Sequence, residues 1–138
     1  MLDKKSLVVD DDASVRKFIR AVLQSDGFQT SEAENGVQAL ELLRKLCGAM
    51  DLLVSDIKMP LMDGIALACT VRAEFPAIPI ILVSGYAASE HGPSAAYEFL
   101  QKPFFPATLL ALVNKALAKK TGTPSAEGRA MSATGGAE

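Results

Sequence analysis

Histidine is the scarcest chemical resource in this 138-residue chain: His91 is the only one, and tryptophan is absent. A multi-histidine metal centre cannot be built from one copy, so histidine-dependent chemistry must use His91 or borrow the residue from another protein. His91 stands beside Gly92-Pro93, which break helices, and reads as a loop residue. There are only two cysteines, Cys47 and Cys69, with no CxxC spacing and no histidine nearby. They read as small buried thiols in a reducing compartment, not as a disulfide or metal pair. Charge of one sign is also missing, since 14 Lys plus Arg against 16 Asp plus Glu leave a net charge of −2. That balance disfavours direct nucleic-acid readout and binding to an anionic membrane surface. The longest strongly apolar run, Ile78 to Val83, is far too short to span a bilayer. The N-terminal Met1-Leu2-Asp3-Lys4-Lys5 leads into an apolar run that soon meets Asp10, so no secretory segment is expected. The expectation is a cytoplasmic protein without nucleic-acid or membrane partners.

With 49% hydrophobic and 22% charged residues, the chain has the apolar content to bury a core. Its length suits about one domain. Ser6 to Asp10 (SLVVD) is an apolar run that stops at carboxylates, as a buried parallel strand does at a polar rim. Asp12 then caps a helix with its apolar stripe at Val15, Phe18, Ile19, Val22 and Leu23, closed by Gly27. Phe28 to Ala33 reads as a more polar edge strand, and Asn35-Gly36 opens a helix carrying Val37, Leu40, Leu43 and Leu46. Asp51 to Asp56 is the next strand, and a helix from Gly64 is stopped by Pro76. Pro79 to Ser84 and Tyr97 to Gln101 complete the strands. Pro106 opens a last helix whose apolar face is Leu109, Leu110, Val113 and Leu117. The alternation predicts an α/β fold with a mostly parallel sheet covered on both faces. Residues 1–120 read as one domain. From 121 to 138, fourteen of eighteen residues are Gly, Ala, Ser, Thr or Pro, the composition of a flexible tail.

In such a sheet ligands bind beyond the carboxyl ends of the strands, where Asp10, Asp11, Asp56, Ser84 and Lys102 fall. One aspartate there is more often a turn or helix cap. Three carboxylates on one rim repel one another unless a cation sits among them, and oxygen donors without histidine or thiolate suit Mg²⁺. Lys102 can neutralise a phosphoryl oxygen and the Ser84 hydroxyl can donate to another. Taken singly they read equally well as a surface lysine and a strand-end serine. Together these groups form the equipment of phosphoryl transfer to a carboxylate.

The segments LVVDDD, VSDIKMPLMDG, ILVSGYA and FLQKPF, in this order, resemble the receiver domains of two-component response regulators over roughly Lys5 to Lys119. The resemblance implies a doubly wound five-stranded sheet of order 2-1-3-4-5 and a cis Lys102-Pro103 bond. By motif, Asp56 resembles the phospho-acceptor and Asp10 and Asp11 the acidic pair, Asp11 being the more direct metal ligand. The backbone carbonyl of Lys58 completes the implied Mg²⁺ ligands. Lys102 matches the lysine before proline, Ser84 the hydroxyl switch position and Phe99 the aromatic switch position. Lys58 and Tyr86 occupy the positions that flank attacking water, so they are candidates to set adduct lifetime, although Tyr86 reads equally well as a surface aromatic.

The implied function is a phospho-accepting signalling domain and not an enzyme acting on other substrates. A sensor histidine kinase or histidine phosphotransfer protein supplies the phosphoryl group, and the signal leaves through protein contacts. FLQKPF and SGYA also resemble modules of hybrid sensor kinases, so a detached module or a phosphorelay shuttle stays open. Ser84 and Lys102 are only eighteen positions apart, and 87–96 (AASEHGPSAA) has no apolar stripe, so the helix expected there is short or irregular. A phosphohydrolase of the haloacid-dehalogenase type also places Asp-x-Asp after a strand, but it needs an acidic pair after its lysine. Here only Glu127 and Glu138 follow Lys102. A pseudo-receiver commonly lacks parts of the acidic or lysine set, all of which this chain has.

Overall fold

The computed structural model describes residues 4–85 and 97–121. The short or irregular helix expected over 87–96 lies outside the described residues, as do Tyr86, His91 and the stretch 122–138 read as a tail. Five strands, β1 (Lys4–Val9), β2 (Phe28–Ala33), β3 (Leu52–Asp56), β4 (Ile80–Ser84) and β5 (Glu98–Gln101), form one sheet. All pairings are parallel and the order is β2-β1-β3-β4-β5, as the sequence led us to expect. The helices are α1 (Ala13–Ser25), α2 (Gly36–Lys45), α3 (Gly64–Glu74) and α4 (Pro106–Thr121).

Alternation along the strands divides the core into two layers. Leu7, Val9, Leu53 and Leu82 face α2 and α3, meeting Leu40, Leu43, Leu67 and Val71. Val8, Val54, Ile81 and Val83 face α1 and α4, meeting Ile19, Leu23, Leu109 and Val113. The central strands β3 and β4 are buried at every position, which is why they read as continuous apolar runs. Three of the four helix starts are fixed by a short side chain: Asp12, Asn35 and Asp63 cap α1, α2 and α3 by accepting from backbone N–H groups in the first turn. The caps set where each helix leaves the sheet edge, and so where the neighbouring strand-end residues point.

Some apolar positions do not go where periodicity sends them. Phe18, Val37 and Leu46 are exposed by more than a third, and the stripe of α2 is completed by Ala39. Both cysteines are exposed, contrary to the buried thiols expected. Cys47 stands past the end of α2 at φ 54°, and Cys69 lies on the outer side of α3, where its Sγ is 3.6 Å from the Tyr97 hydroxyl.

Candidate functional site

Four strand ends deliver the polar residues. Asp10 follows β1, and its N–H donates to the Ala33 carbonyl at 3.2 Å, so the chain stays beside β2 for one more residue before turning. Its side chain is buried, and Oδ1 accepts from the Asp12 N–H at 2.9 Å. Asp12 turns away to cap α1. Asp11 is thereby left exposed between them, at the same edge as Asp56, the last residue of β3. Carboxylate oxygens of Asp10, Asp11 and Asp56 lie within 4.8 Å of one another.

Lys102 enters from the far side, just past β5. Its N–H donates to the Ser84 carbonyl at 2.7 Å, and the Lys102-Pro103 bond is cis. The ammonium reaches 3.3 Å from Asp56 Oδ1 and 3.5 Å from Asp10 Oδ2. Asp56 Oδ1 also accepts from the Ile57 N–H at 3.0 Å. Burial holds the carboxyls of Asp10 and Asp56 above the ordinary carboxylate range, with Lys102 pulling both the other way. A single ammonium does not offset the burial of two acids with a third beside them.

A cavity of 420 Å³ opens over this edge, lined by Asp56, Lys58, Ser84, Gly85 and Lys102. A second of 550 Å³ adjoins it, lined by Asp11, Lys58, Asp63 and the β3–α3 connection. Lys58 borders both. Phe99, on β5, is half-buried and meets Tyr97 edge-on at 6.4 Å, on the face shared with α3. Asp10, Asp11, Asp56, Lys58, Ser84 and Lys102 are thus gathered at one edge, and Phe99 lies on the strand that delivers Lys102.

Gly64 was not singled out from the sequence as a site residue. A Cβ there would stand 2.2 Å from the Asp56 carbonyl oxygen and 2.8 Å from Ile57 Cα. Its N–H donates to the Ile57 carbonyl at 2.7 Å, closing the connection tightly behind the acidic residue. The Asp63-Gly64 dipeptide held the signal, because a cap followed by the smallest residue permits that approach.

A parallel sheet of this order, with three carboxylates, a serine and a lysine at its carboxyl edge, defines the receiver class of signalling domains. The chain belongs to that family: the response regulator receiver domain matches residues 6–114. It is similar to the sensor kinase CckA of Brucella abortus, 41% identical over 118 residues, covering 83% of this chain and 12% of that protein. It is 36% identical over 114 residues to the DNA-binding transcriptional regulator NtrC of Escherichia coli, covering 80% of this chain and 24% of that one. The chain thus spans a quarter or less of these curated relatives. Among solved structures it is similar to the response regulator TrrA of Thermotoga maritima in complex with Mg²⁺ and BeF. The two are 34% identical with a TM-score of 0.73, over 83% of this chain and 99% of that one.

Receiver domains of this family belong to two-component systems and bind Mg²⁺ at an acidic pocket. The residues present here fit such an ion: three clustered carboxylates, hard oxygen donors, with no histidine or thiolate among them. No described helix is long and apolar enough to cross a membrane.

Proposed function

We propose that Asp56 accepts a phosphoryl group from a phosphohistidine of a sensor kinase or phosphotransfer protein, and that the resulting change is read by protein partners. The observation that carries this is the Lys102 ammonium lying between Asp56 and Asp10 beside a three-carboxylate cluster. Asp10, Asp11, Asp56 and the Lys58 carbonyl would hold Mg²⁺, which when bound neutralises charge on the phosphoryl oxygens. A carboxylate oxygen of Asp56 forms the new O–P bond as the donor's N–P bond breaks, and the imidazole nitrogen leaves with the electron pair. Lys102 neutralises one phosphoryl oxygen, and the Ser84 hydroxyl donates to another. The shift of Ser84 gives Phe99 room to turn inward, biasing a two-state equilibrium by the difference in stabilisation between the states. Lys58 and Tyr86 tune how fast water removes the group.

The domain comprises residues 1–120 and acts in the cytoplasm through protein contacts, without touching nucleic acid or membrane. It is a phospho-acceptor, and the only reactions it promotes are its own phosphorylation and dephosphorylation. The likeness to a sensor kinase favours a second reading, in which the same chemistry serves as the receiver module of a hybrid kinase or as a relay shuttle. Incubation with a small-molecule phosphodonor and Mg²⁺ is expected to give one labile adduct, at Asp56. An Asp56→Ala protein labelled as strongly as the wild type overturns the assignment.

A further inference from the structure

The turn that carries Asp10 and Asp11 is gripped from behind. Nη1 of Arg16, one turn into α1, donates to the Asp10 main-chain carbonyl at 2.7 Å. The same guanidinium donates through Nε to Glu32 Oε1 at 2.8 Å, and its side chain is only 11% exposed. The other oxygen of Glu32 accepts from Arg20 Nη1 at 2.7 Å, and Arg20 Nε donates to Thr30 Oγ1 at 3.0 Å. Glu32 is therefore held between two guanidiniums on the edge strand β2, and its carboxyl is kept below the ordinary range mainly by the hydrogen bond from Arg16.

The carbonyl that Arg16 holds belongs to the peptide joining Asp10 to Asp11. Holding that peptide plane limits the rotations on either side of it, and so the directions in which both side chains leave the backbone. We infer that Arg16, anchored by Glu32, is a positioning residue that presets the Asp10–Asp11 turn, so that both carboxylates meet Asp56 before a cation arrives. The inference rests on the reading of this acidic cluster as the cation site. Preorganisation of ligands from the second layer is what gives such groups their weight in metal binding.

The structure supplies its own control. Arg20 makes the same kind of link from α1 to Glu32 but does not touch the acidic turn. Loss of either arginine costs an α1–β2 ion pair, whereas only loss of Arg16 frees the Asp10 carbonyl. A guanidinium acting simply as a positive charge would repel a cation, so its removal would tighten binding. A positioning role has the opposite sign.

The test compares the full chain with its Arg16→Met and Arg20→Met variants, both of which keep an apolar stem. Two readouts are taken: exchange of the Asp12 amide, which donates to Asp10 Oδ1, without divalent ions, and calorimetric titration with MgCl₂ alone. Arg16→Met should speed Asp12 exchange and weaken Mg²⁺ binding by about tenfold, while Arg20→Met leaves both unchanged despite a comparable loss of thermal stability. Equal effects in the two variants, or tighter Mg²⁺ binding by Arg16→Met, overturn the inference. If the wild type binds no Mg²⁺ the reading of the cluster fails, and the exchange comparison still decides whether Arg16 holds the turn.

Discussion

The Lys102 ammonium lies 3.3 Å from Oδ1 of Asp56, and the lysine's own N–H is tied to the Ser84 carbonyl. One cation thus joins strand ends that are far apart in sequence. Asp56→Asn should weaken that contact but leave the lysine near Asp10, whereas Lys102→Met removes the ammonium that both buried acids share. Because the lysine side chain is partly exposed, the expected cost of Lys102→Met is about 1–2 kcal/mol at neutral pH. Urea unfolding at pH 7 measures it, and an unchanged midpoint would show that the ammonium contributes nothing to the fold.

Asp10→Asn should have the opposite effect. Burial raises the Asp10 carboxyl above its ordinary range, so the metal-free native state binds a proton more tightly than the unfolded chain does. Its favourable contribution is complete below the ordinary carboxylate range and is lost as pH rises through the raised value. Asparagine carries no charge to desolvate. Thermal melts from pH 4 to 8 without divalent ions should show Asp10→Asn more stable at neutral pH, with a shallower decline toward it. A variant that melts lower than wild type at pH 7 would mean the burial penalty is not dominant.

Gly64→Ala is expected to be costly although Gly64 lies within the first turn of α3, where alanine is normally welcome. The added methyl would overlap the Asp56 carbonyl oxygen, which cannot move without displacing the acidic side chain itself. The expected loss is about 2–4 kcal/mol. Chemical denaturation gives the number, and amide shifts of Asp56 and Ile57 would report the displacement.

Ser6 offers a stabilising change. Its hydroxyl is fully buried in β1 and, among the described residues, is the one buried side-chain oxygen or nitrogen without a hydrogen-bond partner. Ser6→Ala removes that desolvated group with little change in volume and should raise stability by about 1 kcal/mol. A lower denaturation midpoint would indicate that the hydroxyl has a partner in solution.

The sheet was legible because the apolar runs of β3 and β4 end in a polar residue and that of β1 is followed by one, and α1, α2 and α3 carry their caps in the sequence. Asp10, Asp56, Ser84 and Lys102 could be placed on one edge for the same reason. Exposure was less legible. Phe18 and Val37 sit at stripe positions yet are more than a third exposed, because a helix laid on a sheet buries a narrower arc than its apolar residues cover, and Leu46 falls just past the end of α2. Residue type does not decide the burial of the cysteines: Leu67, Ala68 and Val71 set which side of α3 faces the sheet and leave Cys69 outside, and Cys47 falls in the turn after α2. Arg16 and Glu32 gave no signal at all. Their meeting depends on how α1 crosses β2, which no local spacing encodes.

The lysine and the buried acid it reaches at β1 are separated by 92 positions. On the ribosome the three carboxylates are complete once Asp56 has been added, and Lys102 follows 46 residues later by their numbering (102 − 56). At ordinary elongation rates that is a delay of about 2–9 s. A β1–β3 pair formed in that interval brings the three acids together without the lysine. The counter-charge of the acidic edge is thus the last of its charged groups to be synthesised.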